Sequence, residues 1–331
     1  MNKDTRIISE ADLTAVAARF VGNEPLARHT SLRIGGAARF FFEARNIEDL
    51  RIALQWSKLH CVPVVLLGGG TNVLVCDEGF DGLVIIYQAR NWNIKDSRAK
   101  AAAGAEGVLY GEAGVPIGRL AWSVGGQGWS GLEWAAGLPG SLGGAIYGNA
   151  GCYGGDIAGI LRRGWVLVGD TVEEWPLEQF DFGYRTSRLK QQAAASNNAP
   201  DAPDRPAVVL AAELQLVRGD TASLMETMKN IATRRKEATP AGSSCGSVFE
   251  NPPDAPPAGQ LIDQAGLKGT RIGGAEISSH HANYIVNLGD ASSSDVLRLI
   301  ALARDTVLNH SGVALELEIQ IVGNCDTEGT G

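Results

Sequence analysis

Apolar residues recur at helical spacing in four stretches of the chain. From Ser9 to Phe20 a serine precedes the run and Asp12 follows three positions later, the signature of a capped amino terminus, so a lead-in helix is expected there. Asn46 to His60, Thr221 to Lys236 and Ser294 to Asn309 carry the same period. Strands are expected where short apolar runs end at turn residues: PVVLL at 63–67, DGLVIIY at 81–87, AVVLAAELQLV at 207–217 and the alternating VALELEIQIVG at 313–323. Between Leu189 and Pro206 little can be buried, and the Ala, Asn and Pro there predict an exposed excursion on the surface or without order.

Glycine interrupts this pattern more than any other residue. The chain holds 42 glycines, and they crowd the segment from Gly111 to Ile157, which reads as loops folded around something large. A literal G-x-G-x-x-G occurs at Gly126, Gly128 and Gly131, but helical sequence precedes it and none follows. A nicotinamide fingerprint requires the reverse order, strand before and helix after, so this reading is rejected. Gly68-Gly69-Gly70-Thr71-Asn72 directly follows the run PVVLL, and its backbone amides can converge on an anion without side-chain obstruction. The longer loop from Gly137 to Gly151 has the same property, and two such loops favour an extended dinucleotide.

With 331 residues, the chain has room for about two domains at ~150 residues each, and the boundary is placed near Gly219. The net charge of −8 argues against recognition of nucleic acid or anionic membrane through overall charge. Cys61, Cys76, Cys152, Cys245 and Cys325 are scattered without a Cys-x-x-Cys pair, and are expected to be reduced thiols. The first residues contain no apolar core of a signal peptide, and no run approaches the ~18 apolar residues of a membrane span, so a cytoplasmic protein is expected.

Candidate chemistry is sparse. Arg185 stands in Gly183-Tyr184-Arg185-Thr186-Ser187, where taken alone it reads as a surface ion pair. Ser247 lies on the turn Cys245-Gly246-Ser247-Val248-Phe249 without a hydrolase elbow around it, which suits proton donation better than nucleophilic attack. His280 and His281 are adjacent, so on an extended chain they face opposite ways and cannot easily share a metal; no metal site is expected. Glu316 and Glu318 face the same side of their predicted strand, where either exposure or a buried functional carboxylate is open.

Taken in order, TSLRIGGAARF, LLGGGTNVLVCDEGFDGLVI, GLEWAAGLPGSLGGAIYGNAGCYGG, FGYRTS, CGSVFENP, AGQLIDQAGLKGTRIGGAEISSHHANYIVN and LELEIQIVG resemble the UDP-N-acetylenolpyruvoylglucosamine reductases from Thr30 to Gly323. That resemblance implies an α+β fold: an FAD-binding domain of the vanillyl-alcohol oxidase and para-cresol methylhydroxylase type over 30–218, made of two α/β subdomains meeting near residue 95 with the flavin between them. A smaller α/β substrate domain over 219–325 would follow, with 1–29 as the lead-in. It implies FAD held by Gly68, Gly69, Gly70, Thr71, Asn72, Gly137, Pro139, Gly140, Ser141, Gly143 and Gly144. NADPH would be the hydride donor, and UDP-N-acetylglucosamine enolpyruvate the substrate reduced to UDP-N-acetylmuramate for peptidoglycan, in a cytoplasmic monomer with no nucleic-acid or membrane partner. By the same resemblance Arg185 faces the substrate carboxylate with Glu318, or Glu316 if the register slips, and Ser247 is the proton donor. Tyr184, Asn251, Lys268, Arg271 and Asn283 match positions near the nucleotide sugar.

Several positions depart from the family pattern. Glu250 stands where a basic residue is usual, leaving Lys236, Lys268 or Arg271 to meet the diphosphate, and Gln320 replaces a common arginine. The segment after Arg185 is longer than usual, and the long interruption that carries a tyrosine lid in one branch of the family is absent. Competing readings are an FAD oxidase of the same fold, which would not need Ser247 and Glu318 together, and a non-catalytic flavin or sugar-nucleotide binder.

Overall fold

The computed structural model describes residues 7–96, 105–197 and 207–325. Its helices in chain order are α1 (Glu10–Ala17), α2 (Ile47–Leu59), α3 (Ile117–Gly126), α4 (Leu142–Tyr147), α5 (Arg188–Asn197), α6 (Thr221–Ala238), α7 (Ala258–Gln264) and α8 (Ser293–Ser311). The chain forms two compact units, one from segments 1–18, 43–56 and 86–234, the other from 19–42, 57–85 and 235–331.

In the first unit the strands run Thr171–Pro176, Leu161–Val168, Val208–Arg218, Glu106–Glu112 and Trp92–Asp96 in spatial order, every neighbouring pair antiparallel. The short strand Trp129–Ser130 pairs with the end of the central strand. Leu109, Leu120, Val124, Leu142, Ile146, Val166, Ala212 and Leu214 fill the core between this sheet and the apolar faces of α3 and α4. Gly111 and Gly143 are needed there because an added Cβ would come within 2.9 Å of Leu142 and 2.8 Å of Ala113 respectively.

The second unit has one sheet of four strands ordered Val21–Pro25, Ala37–Ala44, Phe80–Tyr87, Val64–Leu67, and another ordered Ser243–Ser244, Ile285–Asn287, Ala275–Ile277, Arg271–Ile272. Gln320–Val322 pairs in parallel with Val73–Val75. Leu32, Leu74, Phe249, Ile262, Ile277, Val296, Leu299 and Leu315 belong to one buried cluster. The amino terminus of α8 is fixed twice over. Ser292 and Asp295 form a capping box, and Asp77 accepts the Ser293 amide at 2.9 Å. Burial alone would raise the Asp295 carboxyl, but hydrogen bonds from Ser292, Gly274 and Arg298 hold it below its ordinary value.

The periodic segments appear where expected, with three differences. The lead-in helix is capped by Ser9 and Asp12 but stops at Ala17, and Phe20 leaves it to pack against Phe40 and Phe42. The segment after Arg185 begins as α5 and not as an irregular excursion, because Ser187 accepts the Lys190 amide and Leu189 is buried; 198–206 lie outside the described residues. The run 313–323 is ladder-bonded only at Gln320–Val322. Its alternation arises because Leu315, Leu317 and Ile319 pack into the cluster, while isolated backbone bonds to residues 248–250 replace a continuous strand. At Gly126 to Gly131 the order is the expected one: the helix α3 comes first and only a two-residue strand and a 3₁₀ turn follow.

The cysteine expectation needs correction. Cys76 and Cys325 form a disulfide, with Cα atoms 5.1 Å apart across a sequence separation of 249. The parallel pairing of 320–322 with 73–75 delivers the two side chains to each other, and no spacing rule applied to the sequence would reveal it. Alkylation of the protein denatured without reductant should label Cys61, Cys152 and Cys245 and spare Cys76 and Cys325; mass spectrometry after prior reduction should find all five labelled.

Candidate functional site

In the second unit the strand Val64–Leu67 runs directly into Gly68–Asn72. Gly70 holds a left-handed φ of 61°, and a Cβ there would lie 1.9 Å from the His29 carbonyl oxygen, so the bend admits glycine alone. Its carbonyl accepts the Ser31 amide at 2.9 Å. Gly68 and Gly69 are exposed and present backbone with no side chain over it. That surface fits the close approach of a diphosphate-bearing cofactor.

Asn72 connects this loop to the carboxy-terminal segment. Its Nδ2 donates to the Glu318 carbonyl at 3.0 Å and its own carbonyl accepts the Gln320 amide at 3.0 Å. Glu318 in turn donates its amide to the Val248 carbonyl at 2.9 Å, and Glu250 donates to the Glu316 carbonyl at 2.9 Å. The structure therefore links Asn72, Glu318 and Val248, the residue directly after Ser247, in one hydrogen-bonded network. Gly246, at φ 83°, makes the turn that presents Ser247, and a Cβ built on it would be 3.9 Å from the Thr71 carbonyl oxygen.

Ser247 opens onto a cleft of about 340 Å³ whose other walls include Asn251, Asp263, Lys268, His281 and Asn283. Of the matched substrate positions, Lys268 lines the cleft with its ammonium 2.7 Å from Asp263. Asn251 is at the rim, its Oδ1 accepting the Ala258 amide at the start of α7. Asn283 lines it too, although its side-chain amide is turned onto the Phe249 backbone. Arg271 is not among the lining residues, and its Nε pairs with the buried Glu276. His280 and His281 also line the cleft, a role missed when the pair was weighed only as metal ligands. Burial lowers the His281 pKa and, against a backbone hydrogen bond that raises it, the nearby charges of His280 and Lys268 lower it too, which favours the neutral ring. A buried thiol, Cys245, stands two residues before Ser247, its pKa pushed up to about 12 by desolvation.

In the first unit Gly137 and Gly140 hold φ of 74° and 103° in the turn before α4, with Pro139 exposed between them. Ser141 caps α4 by accepting the Gly144 amide at 3.3 Å, and the Gly143 amide goes to the Ala113 carbonyl at 2.8 Å. These two amides are thus engaged, and what the segment offers a cofactor is close approach to bare backbone at Gly137 and Gly144, both exposed.

The same unit holds Arg185 at the corner of a tight turn closed by reciprocal bonds between Gly183 and Thr186. Its φ of 55° is left-handed, a conformation that costs a non-glycine residue about 1 kcal/mol. Its surroundings hold it there: Nη1 donates to the Gly151 carbonyl at 3.0 Å, and Lys190 Nζ donates to its carbonyl at 2.8 Å. Asn149 donates to the Gly183 carbonyl and Ser187 to the Tyr147 carbonyl, tying the turn to the end of α4. Tyr184 is exposed, with the Arg185 guanidinium 5.6 Å from its ring centre.

Comparison with known proteins gives these features a frame. Residues 38–167 match the FAD binding domain, and residues 237–322 match the UDP-N-acetylenolpyruvoylglucosamine reductase C-terminal domain. The reductase of Chloroflexus aggregans is 46% identical over 301 residues, 91% of this chain and 96% of that protein. That of Bacillus subtilis is 38% identical over 326 residues, 98% and 99% of the two chains. The crystal structure of the reductase from Thermus caldophilus is similar at a TM-score of 0.72 and 30% identity, covering 92% of this chain and 98% of that one. The α+β architecture with an FAD-binding region and a reductase-type carboxy-terminal domain is thereby shown.

A titration checks the electrostatics of the cleft. The His281 ring should titrate below the ordinary histidine value, and Lys268→Met should move it upward by removing a cation; NMR of the imidazole protons reads both. Its lowered pKa means that the unfolded chain binds this proton more readily, so His281 should subtract stability as pH falls through the ordinary histidine range toward its folded value.

Proposed function

The chain belongs to the UDP-N-acetylenolpyruvoylglucosamine reductases, and from that premise we propose that it reduces UDP-N-acetylglucosamine enolpyruvate to UDP-N-acetylmuramate at the expense of NADPH. The reaction would take place in the cytoplasm, in a monomer, as a step of peptidoglycan precursor synthesis. Among the described residues no helix is long and apolar enough to cross a membrane. The FAD-binding part is assigned to 30–218 and the substrate part to 219–325. The observation that carries the reading is that Glu318 bonds to Asn72 of the glycine loop and to Val248, the residue directly after Ser247, which itself lines a cleft of polar side chains.

Bound FAD would supply the hydride chemistry, relaying a hydride from NADPH to C3 of the enolpyruvyl group. Gly68 to Asn72 would hold it, with exposed backbone at Gly68 and Gly69 before the rigid bend at Gly70, and Gly137 to Gly144 would hold it through close approach. Addition at C3 drives electrons toward C2 and the carboxylate. Arg185 offsets that charge, its guanidinium already fixed by Gly151 and so not reorganised during reaction. Glu318 completes the surroundings of the carboxylate. Ser247 gives its hydroxyl proton to C2 and regains one from solvent. A serine is a weak acid, so the transfer depends on position and on the high basicity of the acceptor. Lys268 and Asn251 contact the nucleotide sugar, and Lys268 is the cation that compensates for Glu250, because it lines the cleft of Ser247 and Arg271 does not.

Purified protein should be yellow, bleach with NADPH without oxygen, and regain colour when UDP-N-acetylenolpyruvoylglucosamine is added. Ser247→Ala should slow colour recovery by about 100-fold or more and leave bleaching by NADPH near the wild-type rate. Recovery only with oxygen would contradict the reading, as would protein that binds no flavin.

A further inference from the structure

We propose that Asn283 is a positioning residue for the reaction, a clamp that sets the Ser247 hydroxyl by fixing the backbone immediately after it. The inference rests on the reading of Ser247 as proton donor and assigns Asn283 a task other than touching the substrate.

The hydrogen bonds are specific. Asn283 is 4% exposed, and a side-chain amide so deeply buried must satisfy its polar atoms within the protein. Its Oδ1 accepts the Phe249 amide at 2.9 Å and its Nδ2 donates to the Phe249 carbonyl at 2.8 Å. The Asn283 main-chain carbonyl accepts the Val248 amide at 2.8 Å. The remaining polar group of the dipeptide, the Val248 carbonyl, accepts the amide of Glu318. All four backbone groups of the two residues following Ser247 are therefore occupied, three by Asn283 and one by the residue proposed to lie beside the substrate carboxylate.

The Val248 and Phe249 side chains are also anchored, at 1% and 2% exposure in the core of the unit. Ser247 by contrast opens onto the cleft, on a turn made by Gly246 at φ 83°. A small rotation of the Val248 peptide would swing the hydroxyl away from the cleft. Its precision therefore comes from the clamp. The Asn283 main-chain amide also donates to Nδ1 of His281, a lining residue, so the clamp and the cleft wall are one structure.

Asn283→Asp separates positioning from folding. The carboxylate keeps the acceptor for the Phe249 amide but sets a negative oxygen against the Phe249 carbonyl. Protonated, it donates an O–H to that carbonyl in place of Nδ2. Buried among these groups its pKa is raised, so the variant should regain function as pH falls. Colour recovery of the NADPH-reduced holoenzyme with UDP-N-acetylenolpyruvoylglucosamine should be about 10- to 100-fold slower than wild type at pH 8 and approach it toward pH 6. Bleaching by NADPH, which does not use Ser247, should stay within about twofold of wild type at both values. Wild type should lack this rescue at low pH.

Equal slowing of bleaching and recovery, or no slowing of either, overturns the positioning role. Ser247→Ala, run beside it, separates the two claims. If that variant recovers colour at the wild-type rate, the proton-donor role falls and the clamp's purpose with it; if it is slow and Asn283→Asp is fast, the clamp alone falls. Should the variant not fold, hydrogen exchange on the wild-type holoenzyme decides: the Val248 and Phe249 amides should be among the most slowly exchanging backbone sites of 243–251, and rapid exchange there overturns the proposal.

Discussion

Five residues near the carboxy terminus, 316–320, hold the second unit's site together through backbone hydrogen bonds to two segments far away in sequence. Glu316 and Glu318 bond to Glu250 and Val248, while Glu318 and Gln320 bond to Asn72. Leu315, Leu317 and Ile319 direct the opposite side of this seam into the core, so apolar packing fixes which way Glu316 and Glu318 face. The parallel pairing that follows, and the disulfide from Cys76 to Cys325, close the seam just after the glycine loop. A serine, a carboxylate and a glycine loop are thus positioned by main-chain geometry, which tolerates surface change and resists register error.

Arg185 in the first unit follows the same logic by other means. Its left-handed backbone is held by contacts from Gly151, Lys190, Asn149 and Ser187 to the turn and its flanks. Ser187 serves twice, bonding to Tyr147 and capping α5, so the helix after the turn helps to fix the turn itself. Local strain at a cation is stable only when the surroundings over-determine it, and such positions concentrate where chemistry is done.

The sequence displayed much of this. Periodicity located α2, α6 and α8, and the Ser9 and Asp12 pair announced the start of α1. The turn chemistry of Gly68 to Asn72 and the wrong order of elements around Gly126 to Gly131 were also legible, because both depend on near neighbours. Long-range pairing was not. The bond between Cys76 and Cys325, the division of 313–323 into seam and short strand, and the use of Asn283 on Phe249 arise from segments that meet only in the fold. His280 and His281 looked like a question about metals, since the sequence does not show that loop 278–284 turns both toward the cleft of Ser247.

The central claim is that the cleft beside Ser247 receives the enolpyruvyl sugar nucleotide while the glycine loop after Val64–Leu67 receives the flavin. A crystal structure of the oxidised holoenzyme with UDP-N-acetylenolpyruvoylglucosamine tests it most directly. The account predicts the flavin diphosphate against Gly68 to Asn72, the enolpyruvyl C2 within reach of the Ser247 hydroxyl, and the sugar nucleotide contacting Lys268. A substrate bound away from Ser247, or a flavin that leaves Gly68 to Asn72 untouched, would contradict it.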